Sequence, residues 1–365
     1  MNINSRTMSA VPKPVFGISA VLAVVGLAVW ILQLSKGLGI SGLNQNVVWG
    51  MYIAGFFTAA SAGAGALALS GIAIFCKDSF DSRDRFSLLS IALSCFIAAG
   101  ILVAMDIGKI SNIFSMIFSF NLSSSMTQDF WALTICVLVT LWGLLKVKSV
   151  KPSSIFGIVC IIASLGLITV EGLMLSGISA HAYWGSETVA AFMISMVVAG
   201  SAVSLLVLKG KARDLAKKYM VIGLIASALL TFGEILTLGA SSEVSTTLEL
   251  STTLFGSASI YFWIYVIAGL VVPLVLLAKL QDSNGLRLVG ILAVLGVLAE
   301  KLWILVVGFE LPLVAIPGIE SYYVSVAEFF AVIGMAGLGV VAYAVIVGIF
   351  GNDSLQKSAN MDIQL

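Results

Sequence analysis

Long uncharged runs of apolar residues alternate with short polar segments along the whole chain. A run of about 20 residues, at ~1.5 Å per residue, crosses a hydrocarbon core of ~30 Å as a helix. The pattern therefore predicts an all-α integral membrane protein, a single polytopic membrane domain over residues 1–365. We predict about ten transmembrane helices, at residues 15–34, 47–75, 86–107, 128–147, 154–175, 187–208, 219–240, 258–280, 286–309 and 325–350.

The second of these runs has a distinctive pattern of small residues. It follows the polar segment that starts at Asn44, and small residues then recur every four positions, at 55, 59 and 63. Such stripes let helix backbones approach closely in lipid. We therefore expect the second span to be the central packing helix, with a polar and aromatic mouth at one end. From the sequence alone, Trp49 and Tyr52 in that mouth also fit an interfacial aromatic belt.

Composition agrees with a membrane protein, since 60% of the residues are hydrophobic and only 10% are charged. The four cysteines are scattered without a C-x-x-C pair, and His181 is the single histidine of the sequence. These counts argue against an iron–sulfur cluster, a structural zinc site and a haem held by two histidines. We expect no haem, iron–sulfur cluster or metal in this chain, and no nucleic-acid partner.

The basic residues predict the orientation of the helices. Of the 19 lysines and arginines, 16 lie before the first span, after an even-numbered span or at the tail, and the exceptions are Lys36, Lys109 and Lys301. Basic segments stay on the cytoplasmic side. The distribution therefore places both termini in the cytoplasm.

The acidic residues within the spans and opposite loops gather toward the outer side. We expect the chemistry there, because carboxyl groups inside a membrane are costly and mark function. Glu171 and Glu234 lie inside spans without a basic neighbour in sequence, so we select them as candidates for proton handling. The carboxylates of the spans and outer loops are Asp106, Asp129, Glu171, Glu187, Glu234, Glu243, Glu249, Glu300, Glu310, Glu320 and Glu328.

A weak internal repeat suggests how the spans are grouped. Trp49, Gly50, Phe57, Ala64 and Gly65 recur 135 residues later as Trp184, Gly185, Phe192, Ala199 and Gly200. We interpret the chain as two four-helix bundles, over residues 47–175 and 187–309, with the first and last spans flanking them.

Two outer segments and two span ends carry further candidate residues. Residues 108–127 have the spacing of a short amphipathic helix on the membrane surface, and Ser241–Ser257 is polar enough to be solvated or to dock a partner. Asp106 ends the third span, where it is either a proton acceptor or a simple partner of Lys109. Asp129 begins the fourth span, where a capping role is the alternative.

Several motifs, taken in order, resemble the NrfD/PsrC family of membrane proteins found in polysulfide reductase-like complexes. They are G-L-N-Q-N-V-V-W-G-M-Y-I at 42–53, D-I-G-K at 106–109, S-S-S-M-T-Q-D-F-W at 123–131, A-Y-W-G-S at 182–186, and the segments at 300–301 and 323–328. Lys109 stands where the family has arginine, and Ile110 where it has proline.

This resemblance implies a quinone site near the outer face of the first bundle. Asp106 would exchange the quinol proton, and the wall would comprise Asn46, Trp49, Tyr52, Lys109, Asp129 and Trp131. It also implies an iron–sulfur, ferredoxin-like subunit docked over the site and a molybdopterin or other catalytic subunit beyond it. Quinone or menaquinone would be a diffusible substrate.

The resulting hypothesis is a quinone- or quinol-interacting anchor of a respiratory oxidoreductase in the cytoplasmic membrane of a bacterium or archaeon. The sequence leaves open whether the subunit itself oxidises or reduces quinol. A secondary transporter of a small solute is the alternative, because ten spans and an internal repeat are also typical of transporters. Transporters bind near the midplane, whereas the polar residues here lie at the outer end.

Overall fold

A computed structural model describes residues 11–109, 111–112, 114, 118, 121–146, 153–178, 183–280, 282–311 and 321–361, with side chains to residue 350. Every long regular element among these residues is helical. Ten of the helices are long and apolar enough to cross a membrane. The prediction of an all-α membrane protein with ten spans is confirmed.

The helices are numbered here in chain order. A short 3₁₀ helix, Leu38–Ile40, follows α1, and α8 is too short to span a bilayer. The helices are α1 (Lys13–Lys36), α2 (Met51–Phe75), α3 (Ser82–Ile107), α4 (Ser125–Lys146), α5 (Ser154–Ser176), α6 (Ser186–Leu205), α7 (Gly210–Ala240), α8 (Val244–Leu254), α9 (Ser259–Lys279), α10 (Ser283–Glu310) and α11 (Val326–Met361).

Side-chain caps fix the starts of several spans. The Asp81 carboxylate accepts hydrogen bonds from the backbone N–H groups of Arg83 and Asp84, and the Asp84 side chain accepts one from the N–H of Asp81. This reciprocal capping box satisfies groups that the first helical turn leaves without partners. Ser153 and Asp282 cap α5 and α10 in a simpler way.

Helix α2 lies at the centre of the molecule, as its small-residue stripe predicts. All of its 25 residues except Ala59, Ile72 and Phe75 are buried. It packs against α3, α5 and α6 and also contacts α10 and α11. A methyl group added at Gly71 would lie 2.5 Å from the carbonyl oxygen of Gly157 in α5. Glycine therefore permits the close approach of these two helices.

Repeat-related residues of α2 and α6 contact each other. A methyl group on Gly65 would lie 2.6 Å from the Cα of Gly200, so the two backbones touch at these glycines. The rings of Phe57 and Phe192 meet edge to face with centroids 4.9 Å apart. Contacts between positions 135 residues apart are expected if two similar bundles meet about a local two-fold axis. The division of the chain into two bundles stays a prediction.

The first and last spans pair with each other. A methyl group on Gly26 of α1 would lie 2.7 Å from the Cα of Gly334 in α11. Helix α11 also packs against α3 and α2. The pair α1–α11 therefore lies beside the helices of the proposed first bundle.

The structure describes the two predicted outer segments to different extents. Seven residues of the predicted amphipathic helix, 110, 113, 115–117, 119 and 120, lie outside the described residues, and so does His181. The polar segment Ser241–Ser257 contains α8, which is largely exposed but buries Thr253 completely. The Trp303 indole N–H donates to the Thr253 hydroxyl over 3.4 Å. This contact ties α8 to α10, which the polar composition of the segment did not predict.

Candidate functional site

Asp106 lies where α3 ends and the chain reverses. Gly108 follows with φ +72°, a conformation that glycine adopts at no steric cost, and its N–H donates to the carbonyl of Met105 over 3.3 Å. The Asp106 side chain is buried, with 9% of its surface exposed. Its Oδ1 atom has no hydrogen-bond partner among the described residues. We call this end of the helices the outer end, following the predicted orientation.

Two further polar atoms near Asp106 lack partners within the described chain. The Tyr52 hydroxyl of α2 is fully buried, and it lies close enough to Asp106 to interact electrostatically. Gln33 of α1 donates from Nε2 to the carbonyl of Met105 over 2.7 Å, while its Oε1 is unpartnered. A buried polar atom without a partner costs about 1–3 kcal/mol. Three such atoms from three helices indicate a place for a polar ligand group or ordered water.

Glu328 of α11 is the centre of a hydrogen-bond network beside this cluster. It is fully buried. Its Oε2 accepts from the N–H groups of Gly42 and Ser325, each over 2.9 Å, and its Oε1 accepts from the Tyr322 hydroxyl over 2.9 Å. Burial, and then the nearby Glu328 carboxyl, raises the pKa of Tyr322, so its hydroxyl stays a donor. The same hydroxyl accepts from the Met51 N–H over 2.8 Å.

The mouth of α2 carries Asn46 and Trp49. The Asn44 side-chain oxygen accepts from the N–H groups of Asn46 and Val47 over 2.9 and 2.7 Å, so the segment forms a tight turn before the helix. Both candidate side chains are half-buried. The Trp49 ring contacts the edge of Phe309 in α10 at a centroid distance of 5.9 Å.

Asp129 and Glu171 form a second buried cluster, between α4 and α5. Glu171 is fully buried, and neither of its carboxyl oxygens has a hydrogen-bond partner in the described part of the chain. Asp129 is also buried, has one unpartnered oxygen and interacts electrostatically with Glu171. The arrangement suits a pair of carboxyl groups that hold or pass a proton.

Lys301 of α10 lies against Ser195 and Phe192 of α6. It is completely buried. Its Nζ donates to the Ser195 hydroxyl over 2.9 Å, lies 3.4 Å from Glu300 Oε2 and 3.7 Å from the centroid of the Phe192 ring. The Ser195 hydroxyl donates to Glu300 over 2.6 Å. Lys301 also interacts electrostatically with Glu171. Adjacent side chains on a helix diverge, and here Ser195 of a neighbouring helix joins the two.

Glu234 of α7 lines a small polar cavity in the second bundle. The cavity holds about 20 Å³, room for about one water molecule. Burial raises the pKa of Tyr183 at its edge, and the carboxyls of Glu234 and Glu249 add to the effect. Burial also raises the pKa of Glu249, in α8, to about 7. The other lining residues are Glu187, Thr188, Ala191, Leu230, Thr231, Glu300, Trp303 and Ile304.

The structure divides the predicted quinone-binding residues into groups. Tyr52 lies with Asp106, whereas Asp129 lies with Glu171. Asn46 and Trp49 occupy the mouth, as described above. Trp131, half-buried, packs edge to face on Phe130 at 5.5 Å. The side chain of Lys109 is exposed.

Sequence reasoning did not select Gln33, Tyr322 or Glu328 for the site. Gln33 was visible as a polar residue near the end of an apolar span. Ser325 and Glu328 match the S-x-x-E pattern of a capping box, and the Glu328 N–H indeed donates to the Ser325 hydroxyl over 3.1 Å. That pattern indicates a helix start but gives no sign of the contact with Gly42.

Metal-ligand geometry is absent from the described residues. No group of three histidine, cysteine, aspartate or glutamate side chains there could hold a metal ion. The expectation that the chain carries no cofactor stays a prediction.

Comparison with known proteins gives two informative relatives. Over 360 residues, covering 90% of this chain and 91% of the relative, the chain is 24% identical to an Archaeoglobus fulgidus protein named Hdr-like menaquinol oxidoreductase integral membrane subunit. It is 33% identical over 129 residues to a Halobacterium salinarum protein named as a membrane subunit of dimethyl sulfoxide reductase. That second match spans 35% of this chain and 29% of the relative.

A family profile matches a larger part of the chain. The profile, described as polysulphide reductase, NrfD, matches residues 39–312, three quarters of the chain. The matched range holds α2 to α10 and leaves out α1 and α11. The resemblance drawn from the motifs is thereby confirmed, and the chain belongs to the NrfD family of polysulphide reductase membrane proteins.

Proposed function

We propose that this chain is the quinone-interacting membrane anchor of a respiratory oxidoreductase complex. It would exchange electrons between the quinone pool and an iron–sulfur subunit docked at the outer end. The relative that matches nearly the whole chain is named as a menaquinol oxidoreductase membrane subunit, and the shorter match is named for dimethyl sulfoxide reductase. These names support a multi-subunit complex in the cytoplasmic membrane of a bacterium or archaeon.

The observation that carries the proposal is the set of unpartnered polar atoms on Gln33, Tyr52 and Asp106. They come from α1, α2 and α3, and they lie beside the buried Glu328 network. A quinone head group offers oxygen atoms that accept or donate hydrogen bonds, joined to an apolar ring and tail. Such a ligand would satisfy these atoms and would reach them from the lipid.

The proposed roles follow from the chemistry of each side chain. Asp106 would take the proton from the quinol or return it, and Tyr52 would hydrogen-bond a ring oxygen. Asn46 and Trp49 would line the entrance above them. Lys109, exposed just beyond the end of α3, would contribute positive charge at the rim.

Asp129 and Trp131 lie on α4, at a different position from Asp106. We propose that Asp129 belongs with Glu171 to proton handling more than to contact with the ring. The order Asp129, Glu171, Lys301, Glu300 is supported by consecutive electrostatic contacts.

Glu234 would complete the set of proton-handling residues in the second bundle. It shares the polar cavity with Glu300 and interacts with it electrostatically. The cavity has room for about one water molecule, which could bridge the two carboxyl groups.

The proposal is tested on the intact membrane complex. We would purify the chain with its partners and measure the reduction of the partner's iron–sulfur clusters by a quinol, with wild-type chain and with Asp106→Asn and Tyr52→Phe. Asp106→Asn removes the acid at nearly constant volume. We expect a loss of about 10²-fold or more in the rate, the usual size of a general acid–base contribution.

Asp214→Asn is the matched control, because Asp214 is an exposed carboxylate near the start of α7. It should leave the rate unchanged. Wild-type quinol kinetics in Asp106→Asn would remove Asp106 from the site. A purified complex that contains iron–sulfur clusters but never reduces them with quinol would refute the proposed function.

A further inference from the structure

Two contacts place the flanking helices at the candidate site although they lie outside the family match. Gln33 of α1 binds the backbone one residue before Asp106. Glu328 of α11 interacts electrostatically with both Tyr52 and Asp106. Residues 39–312 of the family match include neither helix.

Glu328 holds both ends of the mouth segment, residues 42–51. At one end it accepts directly from the Gly42 N–H. At the other end it accepts from the Tyr322 hydroxyl, which in turn accepts from the Met51 N–H. Asn46 and Trp49 lie between these two anchored points.

The anchoring is rigid because its members are buried and closely packed. Tyr322 and Glu328 have no exposed surface. A methyl group on Gly50 would lie 2.5 Å from the Tyr322 ring, so the ring lies directly on the mouth backbone. The N–H of Tyr322 donates to Glu310 over 2.9 Å, and the Ser257 hydroxyl donates to the same carboxyl. The network thus joins α10, α11 and the start of α2.

We propose that Glu328 is a positioning residue of the quinone site, which fixes the mouth segment through the hydrogen bonds that it accepts from Gly42 and Tyr322. The role rests on the proposed function, since it is defined by the placing of Asn46 and Trp49 at the mouth of the proposed site. Glu328 itself would not contact the quinone ring. The pair α1–α11 would then be part of the site and not only a structural addition to the two bundles.

Glu328→Ala and Glu328→Gln separate this role from a general effect on folding. Alanine removes all three acceptor bonds. Glutamine keeps one carbonyl oxygen for the two N–H groups, and its amide can donate to the Tyr322 hydroxyl, so it preserves the anchor without the charge. We expect Glu328→Ala to raise the KM for quinol about tenfold with kcat within about twofold, and Glu328→Gln to restore most of the KM.

Hydrogen exchange gives a readout that needs no quinone. In the purified complex, the peptide covering residues 42–51 should exchange about tenfold faster in Glu328→Ala. The Gly42 N–H loses its acceptor, and the Tyr322 hydroxyl, which accepts from the Met51 N–H, loses its own hydrogen bond to Glu328. Glu328→Gln and the control Glu243→Gln, an exposed carboxyl before α8, should exchange like the wild type.

Two results would overturn the proposal. One is a KM and an exchange rate in Glu328→Ala equal to the wild type. The other is an equal defect in Glu328→Ala and Glu328→Gln, which would assign the effect to lost charge instead of the anchor. If the proposed function is wrong, neither the wild type nor any variant will reduce the iron–sulfur clusters with quinol. The difference in hydrogen exchange between Glu328→Ala and the wild type would still be observed.

Discussion

Lys301 offers the sharpest test of the energetics inside the bundle. Replacing it by methionine keeps a long flexible side chain and removes the ammonium group. That group has no exposed surface, and it lies 2.9 Å from the Ser195 hydroxyl and 3.4 Å from Glu300. Its removal would leave buried carboxyl groups at Glu300 and Glu171 without the neighbouring positive charge.

The expected magnitude follows from the burial of both partners. Breaking a buried ion pair by removing one member costs about 3–5 kcal/mol, whereas replacing both members by neutral groups is often close to neutral. We expect Lys301→Met to lower the free energy of unfolding by about 3–5 kcal/mol, roughly 10²- to 4 × 10³-fold in the equilibrium constant. The double variant Glu300→Gln/Lys301→Met should recover most of the loss.

Reversible unfolding of the chain in mixed micelles with SDS, followed by tryptophan fluorescence, would measure these differences. Lys218→Met is the control, since Lys218 is exposed and its loss should change the free energy by no more than about 0.5 kcal/mol. A loss below about 1 kcal/mol in Lys301→Met would show that the lysine carries no charge in the folded protein. A double variant as unstable as the single one would refute the pairing with Glu300.

Three other predictions concern the packing, the outer segment and the inner side. Gly65→Ala should destabilise the chain by about 1–3 kcal/mol, because the added methyl group would meet the backbone of Gly200. Thermal unfolding would measure this loss against Gly166→Ala, since a methyl group on Gly166 would meet no atom within 4 Å. Burial raises the pKa of Glu249 from 4.5 to about 7, so the folded chain binds this proton more tightly than the unfolded one. The docking of Val244–Leu254 should therefore be strongest below pH 4.5 and weaken as pH rises to 7; hydrogen-exchange protection factors, corrected for the intrinsic exchange rate at each pH, would measure this, and Glu249→Gln should remove their dependence on pH. The inner half of the predicted spans has no carboxylate, so we expect no carboxylate-lined proton path to the cytoplasmic side during quinol turnover in vesicles. Proton uptake from that side that is abolished by one substitution in the inner half of a span would contradict this.

The ten spans could be predicted because a membrane helix depends mainly on a local property, the length of an uncharged apolar run. The errors lie at the helix ends. Helix α7 begins at Gly210 instead of residue 219, because a basic segment continues the helix beyond the apolar run. Helix α2 begins at Met51 instead of residue 47, because the Asn44 side chain holds the preceding residues in a turn.

The site was predictable only in part, for a related reason. Asp106 stands out in the sequence as an acidic residue at the end of an apolar span, and the resemblance to the family motifs added Tyr52. Glu328 is 286 residues from Gly42 along the chain, and their contact depends on the pairing of the first and last helices. No local pattern encodes that pairing. Membership of the family does not supply it either, because the match ends before α11 begins.

The two carboxyl clusters of the bundles differ in a way that bears on where quinone chemistry would take place. Glu300 Oε2 accepts from the Ser195 hydroxyl and lies beside Lys301, so this oxygen has protein partners. By contrast, Asp106 and Glu171 keep oxygens without a hydrogen-bond partner among the described residues. A buried carboxyl oxygen without a partner calls for a proton, a ligand or ordered water, whereas an oxygen that is already hydrogen-bonded does not. This contrast supports the proposed quinone site at Asp106.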